Sequence, residues 1–267
     1  MKKITFFLGI IVSILGIVSC DIIPESNWTK QIIDDSTPTD STIVTKNVLV
    51  AYFTDQTCVN CPASSVFLDS LKTLRGDTLV IVTIHSHPNP TAAMNLVTDK
   101  GREYNAHFEA NFHPSASIDG DNILTSDFWE GAINRRTKEE TEIEMQMICG
   151  FDERIEYIFV NTTITSTQNI SDINLLLWIT ESDIVAAQAT PTGINREYVH
   201  KHVFRDAING TWGEEITLLE EEVLEITKTF DISEKEWKPE NISIVAFIYD
   251  VNTFEVYQVL EMKLFKE

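Results

Sequence analysis

The sequence predicts an α/β domain followed by an all-β domain, and a change of hydrophobic period separates the two. Between residues 48 and 139, short apolar runs typical of buried strands alternate with helix-like patterns. From about Glu139 the period becomes two, with apolar and polar side chains alternating between residues 143 and 149. We therefore predict an α/β domain at 47–139 and a β-rich domain at 140–267.

The first twenty residues are typical of an exported bacterial lipoprotein. Two lysines follow the first methionine, and an apolar stretch too short to span a membrane as a mature helix extends to Leu15. Residues 17–20, with the sequence IVSC, resemble a lipobox. The resemblance implies a signal peptide at 1–19 and a lipid anchor on Cys20. An ordinary secretory signal cut near Ser19 is the alternative, and it would leave a stray thiol.

The chain is strongly acidic, with 20 basic and 41 acidic side chains and a net charge of −21. This balance argues against nucleic acid as a partner. It also gives the protein body no attraction to an anionic bilayer, so the lipid on Cys20 must provide the membrane attachment. Residues 20–46 have little periodicity and contain the polar run DDSTPTDST, a composition typical of a flexible tether.

The main chemical motif is a C-x-x-C at a predicted strand-to-helix turn. An apolar strand pattern from Val48 to Phe53 is followed by a polar loop and then a helix pattern. Cys58 and Cys61 lie at that turn, where the positive end of the helix dipole favours thiolate over thiol. Pro62 suits a first helical turn, so the helix should begin at Cys61 or Pro62. Export to an oxidising compartment makes a disulfide between the two cysteines plausible.

This motif resembles the thioredoxin redox motif, and a second feature agrees with it. His113-Pro114 precedes a short predicted strand, where a thioredoxin fold carries its cis-proline loop. The resemblance implies a thioredoxin-like domain in which Cys58 is the attacking thiolate and Cys61 the resolving thiol. Pro114 would hold the substrate strand beside the sulfurs and keep competing metal ligands out.

The sequence departs from the thioredoxin pattern beside both cysteines. Thr57 precedes the first cysteine in place of an aromatic residue, and the usual Gly-Pro is absent between the two. Thioredoxins also carry a buried acid on the strand before the motif, whereas Ala51 and Tyr52 occupy these positions here. Asp55 could substitute, but in a loop it is expected to be an exposed carboxylate. Without a proton acceptor, turnover should be slow.

The rest of the α/β domain follows the order strand, helix, turn and helix. A buried strand is predicted at Thr78–His85 and irregular helix at 91–108. A hairpin turn at 119–122 should join two short strands, and a helix should run from Ser126 to about Thr137.

About seven strands are predicted after residue 139, which makes an immunoglobulin-like sandwich the expected fold of the second domain. Cys149 falls on the apolar side of its strand and is expected to be a buried structural thiol. Beyond that first strand, the predicted strands are Arg154–Thr165, Asp172–Thr180, Tyr198–Ile208, Ile216–Phe230, Ile242–Asp250 and Phe254–Lys263.

Three further segments are informative: FTDQTCVNCP at 53–62, HKHVFRDAINGTWG at 200–213 and IVAFIYDVNTFEVYQVLEMKL at 244–264. Taken with the lipobox and the acidic tether, they resemble the family of 28-kDa outer-membrane-protein-related lipoproteins. The resemblance covers essentially the whole mature chain. It implies a thioredoxin-like domain followed by a β-sandwich, and a location in the cell envelope with the outer membrane as the expected membrane.

Two functions from different classes fit these observations. The first is thiol-disulfide exchange with exported protein partners, with no cofactor. The second is a surface-binding or adhesion lipoprotein in which the C-x-x-C is a static disulfide.

A third, minor possibility is copper or zinc binding by the two cysteines with His113, His85 or His87. His200 and His202 are far from the cysteines in sequence and are expected to be structural or surface residues. The substrate, the membrane leaflet and the oligomeric state stay open.

Overall fold

The computed structural model describes residues 28–30, 44–87 and 94–265. The predicted signal peptide, the anchor at Cys20 and most of the tether lie outside these residues. The described chain is rich in β-sheet, with a few helices: α1 (Cys61–Arg75), α2 (Asp99–His107), α3 (Ser126–Arg136) and two short 3-10 turns. No helix within the described ranges combines the length and the hydrophobicity needed to cross a bilayer.

The strands alternate with the helices in the first half and follow one another in the second. In chain order they are β1 (Trp28–Lys30), β2 (Val44–Thr45), β3 (Val48–Thr54), β4 (Leu79–His85), β5 (Ser115–Ile118), β6 (Glu140–Thr141), β7 (Ile143–Asp152), β8 (Tyr157–Ser166), β9 (Ile170–Glu181), β10 (Ile184–Thr190), β11 (Gly193–His200), β12 (Val203–Ala207), β13 (Glu214–Leu218), β14 (Leu224–Asp231), β15 (Ile242–Asp250) and β16 (Val256–Lys263).

The largest sheet has the order β16-β15-β9-β12-β4-β3-β5, with β13 also paired to β9. β3 and β4 are parallel and β5 runs antiparallel to β3. All seven residues of β3 and of β4 are buried, as their continuous apolar sequences predict for strands covered on both faces.

Different structural elements pack against the two faces of β3. On one face, Tyr52 packs with Leu68 of α1 and Trp129 of α3. On the other face, Phe53 belongs to the same cluster as Trp178 of β9 and Phe247 of β15, together with residues of α2. The sheet therefore curves so that its C-terminal strands cover part of its own N-terminal half.

A second sheet, β1-β7-β8-β14, packs on the outer face of the C-terminal strands. The alternation seen from residue 143 has its physical reason here, because Met145, Met147 and Cys149 point into the core between the two sheets. Cys149 is buried, as predicted, and its Sγ lies 3.7 Å from the carbonyl oxygen of Lys263.

Three details of the predicted second half are wrong. The strand predicted at Tyr198–Ile208 is two strands, because His202 between β11 and β12 has a positive φ of 54°. The strand predicted at Ile216–Phe230 is also two, broken near Glu221, whose φ is 61°. Sequence reasoning missed β10, whose alanines and glutamine form strands poorly.

The large sheet contains strands from both sides of residue 139. That the segments before and after this residue are separate domains, each able to fold alone, stays a prediction. Hydrogen bonds also connect the first and last strands. The Asn47 amide donates to Gln258 Oε1 at 2.9 Å, and Asn47 Nδ2 donates to the Val259 carbonyl at 2.9 Å. The Val256 amide donates to the Asp119 carbonyl at 3.0 Å.

Candidate functional site

Cys58 and Cys61 form a disulfide where β3 gives way to α1. The helix begins at Cys61 with Pro62 in its first turn, as the sequence predicts. Cys61 is 1% exposed, whereas Cys58 is partly exposed on the loop. The arrangement leaves Cys58 partly accessible to another molecule and keeps Cys61 inside.

Pro114 lies at the same end of the sheet as the disulfide. It directly precedes β5, whose first residue Ser115 is paired with Phe53 near the end of β3. The peptide bond between His113 and Pro114 is cis. The His113 side chain reaches the cysteine loop, with Nε2 at 3.9 Å from Asp55 Oδ2.

Asp55 is buried, and the expectation of an exposed loop carboxylate is wrong. Its Oδ1 accepts hydrogen bonds from the amide and the hydroxyl of Thr57, which fold the loop back over the carboxylate. The residue is 7% exposed. A buried carboxylate therefore lies three residues before Cys58.

Two histidines and a serine surround this carboxylate. His113 Nε2 lies 2.7 Å from Ser86 Oγ and 3.3 Å from His87 Nδ1. Burial lowers the pKa of His113, while the charge of Asp55 opposes the shift. We call Asp55, Ser86, His87 and His113 the histidine cluster.

Tyr52, on β3, lies beneath the cysteines. Its hydroxyl donates to the Cys61 carbonyl at 3.0 Å, and burial raises its pKa to about 12. The phenol is therefore neutral at physiological pH. Because β3 contains neither Asp nor Glu, it supplies no carboxylate to accept the proton of a resolving thiol.

A hairpin from the second half of the chain, β10 with β11, fixes the cysteine loop. Gln188 Nε2 donates to the Cys58 carbonyl at 2.9 Å, and the Ala189 amide donates to the Gln56 carbonyl at 2.8 Å. In return, Gln56 Nε2 donates to the Ala187 carbonyl at 2.9 Å. Both glutamines are buried. Sequence reasoning missed this contact, and the only local signal was a glutamine inside an otherwise apolar alternation.

A cavity of about 250 Å³ lies beside Cys61, between α1, β4 and the hairpin. His85, His200 and His202 line it, so the fold brings His200 and His202 close to Cys61 although they are far from it in sequence. The folded hairpin brings His200 against His85, with ring centroids 5.3 Å apart. Neither ring nitrogen of His85 has a hydrogen-bond partner among the described residues.

Burial keeps two of these imidazoles neutral. It lowers the pKa of His85 well below the usual value, with a further contribution from His200. It lowers the pKa of His200 to about 4, although a backbone hydrogen bond to Ala186 acts in the opposite direction. His202 instead faces carboxylates, with Nδ1 at 3.7 Å from Glu261 Oε1.

The copper or zinc site given above as a minor possibility cannot form on the two cysteines in this structure, because their sulfurs are bonded to each other. A disulfide offers no thiolate ligand. A metal site on Cys58 and Cys61 would require both cysteines in the reduced state. His87 and His113 lie together in the histidine cluster, while His85 faces the cavity with His200.

Comparison with solved structures shows that related folds exist. The chain matches HBP35 of Porphyromonas gingivalis with a TM-score of 0.64 at 13% identity, covering 82% of this chain and 76% of that one. It matches an Agrobacterium tumefaciens protein solved by structural genomics with a TM-score of 0.56 at 12% identity, covering 85% and 98%. At these identities the matches concern the fold alone.

A third solved structure is a domain of the outer membrane lipoprotein Omp28 from Porphyromonas gingivalis. It is 27% identical, has a TM-score of 0.34 and covers 46% of this chain and 95% of that one. Among curated proteins, none matches the chain significantly.

The family model described as outer membrane protein Omp28 matches residues 101–266, more than half of the 267-residue chain. The matched region includes Pro114, the hairpin and the C-terminal strands, and it begins after the two cysteines. The chain therefore belongs to the Omp28 family and is a lipoprotein of the cell envelope.

Proposed function

We propose that this lipoprotein exchanges thiols and disulfides with other exported proteins through Cys58 and Cys61. The observation that carries the proposal is the disulfide at the start of α1, with Cys58 accessible and Cys61 buried. This asymmetry suits an attacking and a resolving thiol. Cys20 would hold the protein at the outer membrane through its lipid.

The order β3, α1, β4, α2, β5 and α3 supports a thioredoxin-like arrangement for the first half of the chain. The antiparallel pairing of β5 with β3 brings Pro114 next to the cysteine loop. We propose that Pro114 positions an extended substrate segment there. The core between the two packed sheets supports an immunoglobulin-like description of the second half.

In the reducing direction, the Cys58 thiolate attacks one sulfur of a substrate disulfide. A mixed disulfide forms, and the first substrate thiolate leaves. The Cys61 thiolate then attacks Cys58 Sγ, which releases the second substrate thiolate and restores the bond between the two cysteines. The substrate gains two electrons and two protons, and a dithiol donor such as dithiothreitol re-reduces the pair.

The surface around Cys58 suits a polypeptide substrate. Val59 is 46% exposed and Phe112, on the loop before His113, is 47% exposed. Val66, on the first turns of α1, is also exposed. Large apolar side chains exposed beside a reactive site are typical of surfaces that bind extended chains. The net charge of −21 would favour basic or neutral partners.

Insulin reduction in the presence of dithiothreitol tests the proposal. The full-length protein in detergent should accelerate precipitation of the insulin B chain, and Cys58→Ser should abolish the acceleration. Cys149→Ser, which changes a buried cysteine in the other core, is the matched control and should retain activity. Equal rates for wild type and Cys58→Ser would refute the proposal.

A binding or adhesion lipoprotein with a static disulfide is the second candidate. Two observations favour it: β3 carries no carboxylate, and the hairpin fixes the cysteine loop through Gln56 and Gln188. A redox titration with thiol trapping separates the two functions. A reversible two-electron transition between about −120 and −270 mV supports exchange, whereas a bridge that resists reduction to below about −300 mV supports the static role.

A further inference from the structure

We propose that the histidine cluster is a zinc site, in which Asp55, His87 and His113 supply three ligands. One atom from each side chain contributes to a group whose members all lie within 4.8 Å of one another. Two imidazoles and a carboxylate are a ligand set that suits Zn²⁺, whereas Mg²⁺ and Ca²⁺ prefer oxygen ligands alone. The two cysteines take no part.

The distances fit a tetrahedral ion. With Zn–N bonds of about 2.0–2.1 Å, two ligand atoms of a tetrahedral site lie about 3.3 Å apart. His113 Nε2 and His87 Nδ1 are 3.3 Å apart. The second edge, from His113 Nε2 to Asp55 Oδ2, is 3.9 Å, and the third, from His87 to Asp55, is within 4.8 Å, so a movement of the carboxylate towards the histidines would close both.

Neighbouring groups already orient two of the ligands. His113 Nδ1 lies 2.9 Å from the Phe112 carbonyl, and only a protonated Nδ1 can bond there. The lone pair of Nε2 therefore faces the cluster, as a metal ligand requires. Asp55 Oδ1 is held by Thr57, which leaves Oδ2 for the ion.

A cation would also bridge the neighbouring ring nitrogens of His87 and His113. Ser86 Oγ lies 2.7 Å from His113 Nε2 and 3.1 Å from His87 Nδ1, so its one proton can serve only one of these nitrogens, which are themselves 3.3 Å apart. Zinc would bind both lone pairs and balance the charge of Asp55. Asp55 is buried and His87 is exposed, so the fourth position opens towards solvent and can hold an exchangeable water.

Isothermal titration of zinc chloride into the chelator-treated, full-length protein in detergent tests the site. The disulfide is kept oxidised, so that no thiolate can bind the metal. We expect one zinc per chain, at least tenfold weaker binding in His87→Gln and in Asp55→Asn, and no binding of magnesium. His107→Gln changes an exposed histidine outside the cluster and should bind as wild type does.

Cobalt gives a second readout, since the oxidised protein should show ligand-field bands without a thiolate charge-transfer band. Because His87 is exposed, His87→Gln should fold normally, which its thermal unfolding can verify. Absence of zinc binding, or unchanged affinity in both cluster variants, would overturn the proposal. So would zinc that binds only the reduced protein and is lost in Cys58→Ser. None of these readouts depends on thiol exchange.

Discussion

His200 is a buried imidazole that the fold keeps neutral. Across the cavity it faces His85 of β4, on its own strand it contacts Tyr198, and Asp69, Lys201 and His202 line the same cavity. Because His200 is buried, little water can solvate its ring, and protonation would leave the new charge poorly solvated. The free energy of unfolding should therefore depend on pH through His200.

Stability should fall on acidification through His200. Its pKa is about 4 in the fold and near 6.5 when unfolded, so below pH 6.5 the unfolded chain binds the extra proton. The contribution of neutral His200 to the free energy of unfolding is fully present above pH 6.5 and is lost as pH falls towards 4. Between pH 7 and pH 5 the loss amounts to about 2 kcal/mol.

Urea unfolding of wild type and His200→Phe at the two pH values measures this contribution. The variant should lose less stability than wild type, by about 2 kcal/mol. His87→Gln, which changes an exposed histidine, is the control. An equal pH dependence in wild type and His200→Phe would show that His200 is not neutral in the fold.

Gly120 illustrates a different constraint on a single position. Its φ is +82°, and an added Cβ would lie 1.9 Å from the Phe254 carbonyl oxygen. Gly120→Ala should therefore destabilise the protein by roughly 2 kcal/mol or more, because both the backbone and the contact with the C-terminal strands must change. Gly131→Ala, in α3 with open space around it, should instead stabilise by about 0.5–1 kcal/mol. Thermal unfolding compares the two; equal effects would contradict the prediction.

The hairpin of β10 and β11 acts as a clamp on the cysteine loop. Gln188 Nε2 donates to the part-buried Cys58 carbonyl and also to the Asp55 carbonyl, which accepts a second hydrogen bond from the Cys58 amide. Unsatisfied buried carbonyls cost about 1–3 kcal/mol each. The loop conformation around Cys58 therefore depends on an element more than a hundred residues away.

Replacing Gln188 by Ala should loosen this loop. We expect a loss of about 1–3 kcal/mol in unfolding free energy and faster amide exchange at residues 55–61 than in wild type. Gln146→Ala, on the exposed face of β7, should change neither quantity. If exchange at the loop is unaltered in Gln188→Ala, the hairpin does not hold the site.

The two halves of the chain share one sheet and should fold together. Phe53 and Val82 belong to the same core as Trp178 and Phe247. A fragment of residues 47–139 would expose this surface to water. We expect it to lack cooperative thermal unfolding, whereas the full chain should unfold cooperatively. Cooperative unfolding of the fragment would support the boundary predicted at residue 139.

Local patterns predicted the local elements well. The continuous apolar run of β3, the proline at the start of α1 and the bounds of β15 could all be taken from the sequence. These features depend on neighbouring residues, so periodicity and caps reveal them. The same holds for the placement of Cys58 and Pro114.

Contacts between distant segments were not predictable from local patterns. Nothing near residue 188 or residue 200 signals that these side chains meet the cysteine loop and the cavity beside it. The burial of Asp55 likewise depends on a turn at Thr57 and on the approach of His113, which a loop sequence does not specify. These contacts form only in the folded sheet, because it brings together strands that are far apart in the chain.

The hydrogen bond between Asn47 and Gln258 can form only after nearly the whole chain has been synthesised. It joins residues 211 positions apart. At about 5–20 residues per second, a ribosome adds the last strand about 10 to 40 s after the first. During that interval the cover of β3 is incomplete, because Phe247 of β15 is among the last residues made, so the emerging chain should depend on a chaperone until its final residues appear.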